Sequence, residues 1–100
     1  AMAHVGSDIE RLHFFNTEIV RHGDKLTTPD GKTLAGSCLD MHSAVLNTHN
    51  DCGVTLQGAS KMASATPAQF MGLESDIGSI TEGQRADFLL LNSANVLTHV

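Results

Sequence analysis

The sequence predicts an α+β chain in which a β-meander is followed by a block of helices and then by further strands. Three observations carry this. Residues 11–28 are short β-rich runs split by turn residues. Residues 38–72 space their apolar side chains as helices do. Residues 78–100 return to short apolar runs, among them the unbroken Phe88-Leu89-Leu90-Leu91.

The meander spans residues 11–28. Leu12-His13-Phe14-Phe15 reads as a first strand, Asn16-Thr17 as a turn, and Glu18-Ile19-Val20-Arg21-His22 as a second strand. His22-Gly23-Asp24 turns the chain again into Lys25-Leu26-Thr27-Thr28. Pro29-Asp30-Gly31 closes the unit.

From Ser37, a suitable N-cap, Leu39, Met41, Ala44, Val45 and Leu46 recur on a helical spacing, and Asn50-Asp51-Cys52-Gly53 supplies a stop. A helix over about 38–50 is expected. Thr55 caps the next, over 55–64, whose Leu56, Ala59, Met62 and Ala63 form one apolar face. Gly58 inside it costs about 1 kcal/mol relative to Ala unless a neighbour packs close to it. Thr66 and Pro67, as N-cap and first helical residue, start a third helix over 67–72 that stops at Gly72.

In the tail, Gly78-Ser79-Ile80 and Ala86-Asp87-Phe88-Leu89-Leu90-Leu91 flank a turn at Glu82-Gly83-Gln84, and Asn95–Val100 reads as one more strand. Because Phe88–Leu91 is apolar on both faces, it reads as a central strand covered on each side, a cover that one hundred residues hardly supply. No repeat, low-complexity tract or Gly/Ser linker interrupts the order.

Composition narrows the function classes. Hydrophobic residues are 41% and charged residues 17%, a globular balance rather than a disordered one. Four Phe and no Trp or Tyr leave little aromatic area for a freestanding core, which hints that the chain completes a larger one. The net charge of -5, with scattered basic residues, lacks the footprint that neutralises phosphates and argues against nucleic-acid binding. No apolar run approaches a membrane span and the N-terminus does not read as a signal peptide, so a soluble, cytoplasmic protein is expected.

The stretch Asp30-Gly31-Lys32-Thr33-Leu34-Ala35-Gly36-Ser37 is the candidate site: a polar turn, then a small-residue loop that can bring bare backbone N–H groups up to a ligand. The alternative is a Gly-containing connector before a helix. Elsewhere the chemistry-bearing residues read as structural. His4, His13, His22, His42, His49 and His99 form no metal-binding pattern. His42 and His49 stand two helical turns apart, about 10 Å, too far to share an ion without further ligands. Cys38 and Cys52 are read as reduced small hydrophobes, with a disulfide or metal role as the alternative. Asp40 suits a helix start and Asp87 a turn. Met41, Met62 and Met71 fall on apolar faces. Ser37, Ser43 and Ser64 have no His at a spacing that suggests a serine hydrolase.

Asp30-Gly31, Thr33-Leu34-Ala35-Gly36-Ser37, Leu39-Asp40-Met41, Met62-Ala63-Ser64, Thr66-Pro67-Ala68 and Gly72-Leu73 together resemble the C-terminal third of N-acetylglucosamine-6-phosphate deacetylases. Gly78-Ser79-Ile80-Thr81-Glu82-Gly83-Gln84-Arg85-Ala86-Asp87 is similar to a G-x-I-x-x-G-x-x-A-D segment found across the wider amidohydrolase superfamily.

The resemblance implies a (β/α)8 barrel with a small β-sandwich built from both chain ends, and one or two divalent metal ions of zinc or iron type at the mouth of the barrel. Residues 1–77 would be barrel-derived and residues 78–100 strands of the small β-domain. A metal-activated water would attack the acetamide, an Asp would shuttle its proton, and the products would be acetate and glucosamine 6-phosphate. Family members carry that Asp in a Thr-Asp-Ala segment, and Ala1-Met2-Ala3 is similar to the residues just past it. The catalytic Asp is therefore expected just upstream of Ala1 and the metal ligands farther upstream, so neither catalytic nor metal-binding residues are expected within this chain. What the resemblance assigns to this chain is substrate binding, through the backbone of Leu34, Ala35 and Gly36. The implied partners are an amino-sugar phosphate, the remainder of the barrel and, in keeping with the family, a second subunit in a homo-oligomer.

Two functional readings are open. In one, the chain is the C-terminal fragment of such a deacetylase, inactive alone. In the other, it is a stand-alone, non-catalytic binding or assembly domain derived from an amidohydrolase tail.

Overall fold

The computed structural model describes residues 6–100. The chain forms two compact units that divide between Asp40 and Met41.

The first unit is a four-stranded antiparallel sheet in the order β1-β2-β3-β4, with β1 at Arg11–Phe14, β2 at Thr17–His22, β3 at Lys25–Thr27 and β4 at Leu34–Ser37. Phe14 pairs with Thr17, so the first turn consists of Phe15 and Asn16, one residue earlier than the expected Asn16-Thr17. Phe15 takes a positive φ of 53° to make it. The second turn is Gly23-Asp24, between the paired His22 and Lys25. The buried residues, Ile19, Val20, Leu26 and Thr27, all lie on the two inner strands. Arg21 ties down the segment before β1: its backbone N–H donates to the Glu10 carbonyl (2.8 Å) and its Nη1 to the Ser7 carbonyl (3.0 Å).

The fourth strand corrects the sequence expectation. Thr33–Ser37 is neither a free loop nor the start of a helix, because Leu34–Ser37 pairs with β3 through to Lys25↔Ser37. Small residues have little intrinsic strand preference, so this strand is set by its partner rather than by its own side chains. The Ser37 hydroxyl accepts from Leu39 N–H (3.0 Å) in a local turn, and the helix expected over 38–50 instead runs Met41–Cys52, as α1.

In the second unit, α1 packs on α2 (Leu56–Ala63), and α2 on α3 (Ala65–Phe70). The Thr55 hydroxyl caps α2 by accepting from Gly58 N–H (3.1 Å). Gly58 is explained by close packing, since a Cβ there would stand 3.0 Å from Val54 Cγ1 and 3.2 Å from the capping oxygen. His49 Nδ1 lies 2.7 Å from the Val54 carbonyl, bridging the end of α1 to the connection beyond it.

The third helix starts before Thr66. The chain passes from α2 to α3 almost without a break, with Ser64 N–H bonded to Ser60 O and Ala68 N–H to Ser64 O, each at 3.0 Å. Ser64 does not cap α3, because its hydroxyl donates back to Ser60 O (2.7 Å). Pro67 is therefore the third helical residue, still within the first turn, where a missing N–H loses no helical bond.

The tail carries less strand than expected. Gly78-Ser79-Ile80 is irregular, and the only strands after α3 among the described residues are β5 (Leu90–Leu91) and β6 (Leu97–His99), an antiparallel pair. Asn92 holds the turn between them, its Oδ1 accepting from Ala94 N–H (2.9 Å) and Val96 N–H (3.0 Å). Of Phe88–Leu91 only Leu90–Leu91 pairs, and the cover expected to be short is missing: Phe88, Leu89 and Leu90 are all exposed, because β5 has one neighbour and that neighbour is three residues long. Ala59 and Ala68 are the buried hydrophobic residues of this unit among those described.

Candidate functional site

Leu34, Ala35 and Gly36 stand on β4, at one edge of the four-stranded sheet. Leu26 pairs with Gly36 and Thr27 with Leu34, so Ala35 is an extra residue that bulges the strand. Gly36 has φ of 146°, a conformation that side chains disfavour. Ala35 is half-buried, while Leu34 and Gly36 are exposed.

The turn leading into β4 is closed by several hydrogen bonds. Thr28 Oγ1 donates to Asp30 Oδ1 (2.6 Å), and the same carboxylate oxygen accepts from Lys32 N–H (3.2 Å). Thr28 N–H bonds Thr33 O (2.9 Å) and Gly31 N–H bonds Thr28 O (2.8 Å). The Thr28 hydroxyl, then the Lys32 backbone, hold the Asp30 carboxyl below the usual aspartate range. Sequence reasoning identifies Asp30 only as part of a turn; the Thr-x-Asp-x-Lys spacing is the signal that marks the carboxylate as the turn's fastener.

An edge strand presents one row of main-chain N–H and C=O groups away from its ladder. With no side-chain polar atom on Leu34, Ala35 or Gly36, the strand can hold a polar ligand by hydrogen bonds but cannot move a proton or act as a nucleophile. Asp87 is paired with Arg85 Nη2 (2.9 Å), both exposed. Asp40 stands directly before α1. Cys38 and Cys52 are free thiols.

No three His, Cys, Asp or Glu residues among those described come together to hold a metal ion. Ala1, Met2 and Ala3, on which the expected position of the catalytic Asp rests, lie outside the described residues, as does His4. No helix among the described residues is long and apolar enough to cross a membrane.

The second unit bears an open groove of about 1210 Å³ between α2 and α3 on one side and residues 77–90 on the other, with Met71, Leu73, Ile77, Ile80 and Phe88 in its lining. Ile80 and Phe70 are almost fully exposed, at 86% and 88%.

Comparison with known proteins decides the ancestry of this arrangement. Residues 5–100 match the amidohydrolase family. The chain belongs to that family. It is 40% identical over 92 residues to N-acetylgalactosamine-6-phosphate deacetylase of Shewanella sp. (strain ANA-3), a match over 92% of this chain and 23% of that protein. It is 34% identical over 74 residues to N-acetylglucosamine-6-phosphate deacetylase of Vibrio furnissii, covering 74% of this chain and 18% of the relative. Its fold superposes on the crystal structure of N-acetylglucosamine-6-phosphate deacetylase from Pasteurella multocida with a TM-score of 0.81 at 25% identity, over 93% of this chain and 24% of that one. This amidohydrolase chain thus spans less than a quarter of each of these relatives.

Proposed function

We propose that the chain is the C-terminal part of a metal-dependent deacetylase that cleaves the acetamide of an N-acetylated hexosamine 6-phosphate, releasing acetate and the free amino sugar phosphate. The observation that carries this reading is the similarity to such deacetylases along nearly the whole chain, in sequence and in fold. In this reading residues 1–77 belong to the (β/α)8 barrel, residues 78–100 to the small β-domain, and the rest of the barrel covers apolar side chains left bare in this chain.

This chain's share of the chemistry is binding. The main chain of Leu34, Ala35 and Gly36 lines the sugar-phosphate pocket, where N–H groups suit hydroxyl and phosphate oxygens and small side chains let the ligand approach. Hydrolysis of an amide also needs an activated water and a group that carries its proton to the leaving amine. Neither is assigned to any of the described residues, so the chain alone is expected to be inactive. A phosphorylated sugar is charged and does not cross a bilayer unaided, which supports a cytoplasmic reaction.

Both epimers of the sugar are candidates. The galacto-configured substrate is favoured by sequence alignments that run over 92–93% of this chain at 37–40% identity, against 61–74% of it for the sequence relatives named for the gluco epimer, although the fold match to the gluco-named Pasteurella enzyme also covers 93% of the chain, at 25% identity.

The test is a chimera in which this chain replaces the matching segment of the Shewanella deacetylase. Acetate release from N-acetylgalactosamine 6-phosphate and N-acetylglucosamine 6-phosphate is followed beside the isolated chain. The chimera is expected to be active and the isolated chain silent, and Gly36→Val in the chimera is expected to raise KM at least tenfold. Metal-dependent acetate release by the isolated chain would overturn the proposal, and so would a folded, metal-loaded chimera without activity.

A further inference from the structure

Residues 74–85 contain most of the Gly78–Asp87 motif, yet they carry no cluster of acids, bases or ligands. Their geometry points to a mechanical task. We propose that this segment is a clasp that fastens the C-terminal arm, residues 86–100, to α3 and so holds the apolar groove in its present shape.

The first contact is between backbones. A Cβ at Gly78 would lie 3.0 Å from Ala65 Cα and 3.0 Å from Ala68 Cβ, and the residue holds φ at +97°. Glycine here lets the segment lie directly on the face of α3 made by two alanines, of which Ala68 is buried.

The second contact is a polar lock across the base of the segment. Gln84 Nε2 donates to the Glu74 carbonyl (2.7 Å), and Gln84 Oε1 accepts from the Ser79 hydroxyl (2.8 Å). The next residue adds a main-chain bond, Arg85 N–H to Asp76 O (2.9 Å). One half-buried amide side chain therefore joins the beginning, middle and end of the segment.

Hydrophobic burial holds the arm only weakly. No hydrophobic residue of the arm is buried, and Phe88, Leu89 and Leu90 are exposed. These three line the same groove as Ser60, Lys61 and Met71 of the helical side. An arm so placed is kept beside the helices by the segment that precedes it, and releasing Gln84 frees the arm and opens the groove.

Amide hydrogen exchange of the 100-residue chain tests this, comparing wild type with Gln84→Ala and with the milder Ser79→Ala, which removes one bond. Gln84→Ala is expected to speed exchange of Arg85 and of the β5–β6 ladder roughly tenfold, an opening free energy lower by about 1.4 kcal/mol. Ser79→Ala is expected to have a smaller effect at the same sites, and α1 and β1–β3 no change in either variant. Unchanged exchange in Gln84→Ala would overturn the clasp, as would an equal increase throughout residues 41–100, which would make Gln84 a general stabiliser. Complete exchange of residues 74–91 in the wild type at the first time point would overturn it too, since a closed clasp must protect.

Discussion

Replacing Gly78 by Ala should be among the most damaging single-methyl additions in the second unit, and the structure allows the cost to be divided. One part is conformational: at φ of +97° an alanine is strained, typically by about 1–3 kcal/mol. The other part is steric, because the new methyl meets Ala65 Cα at 3.0 Å and Ala68 Cβ at 3.0 Å. Neither atom is the end of a flexible side chain that could swing aside. Overpacking of this kind costs about 1–3 kcal/mol. The stiffer unfolded chain offsets only about 0.4–1 kcal/mol, so a net loss of about 1–5.5 kcal/mol is expected. Gly83 separates the two parts, since its φ is +91° but a Cβ there meets nothing within 4 Å. Gly83→Ala should therefore lose only the strain of about 1–3 kcal/mol, less the same unfolded-chain offset, with no steric part. Urea unfolding followed by far-UV circular dichroism gives both losses as midpoint shifts at a shared slope. If Gly78→Ala is no worse than Gly83→Ala, the close approach to α3 is not real and the packing argument fails.

Leu26 is 1% exposed between β2 and β4, so Leu26→Ala should cost the sheet about 2–4 kcal/mol. Leu34→Ala at a 73% exposed position should stay within about 0.5 kcal/mol, and urea unfolding that ranks the two equally would contradict the placement of the core. Asp30 should titrate below an ordinary aspartate because Thr28 and Lys32 bond its charged form. A folded pKa below the unfolded one means that its contribution is present above the unfolded value, near about 4, and is lost as pH falls through the folded value. Carboxyl chemical shifts should show this, with Thr28→Val raising the midpoint, and an unmoved midpoint in that variant would exclude the Thr28 bond as the main cause.

The parts of this fold that are legible in the sequence are those decided by neighbours along the chain. Thr55 announces α2 because its hydroxyl and Gly58 N–H are three residues apart. Gly53 and Gly72 stop helices through their own backbone. The tight turns are nearly right for the same reason, and the first slips by one residue because register is fixed by the cross-strand pair Phe14↔Thr17 rather than by turn chemistry alone. The misread parts depend on distant partners. Leu34–Ser37 has the composition of a loop and becomes a strand because β3 has an unused edge beside it. Phe88–Leu91 has the composition of a central strand, and only Leu90–Leu91 pairs.

The candidate site divides along the same line. That Leu34, Ala35 and Gly36 lack reactive side chains is written in the sequence, and it already restricts them to main-chain contacts. Their placement on a bulged edge strand is not, because it follows from the pairs Leu26↔Gly36 and Thr27↔Leu34, which no local rule supplies. This placement gives the binding reading its physical content. A loop would have to be ordered by the ligand at a cost in conformational entropy, whereas the pairing with β3 and the Thr28–Asp30–Lys32 turn order these three residues beforehand. On the proposed binding role, weakening the turn should weaken substrate binding in an active chimera while leaving the rate of the bound complex unchanged.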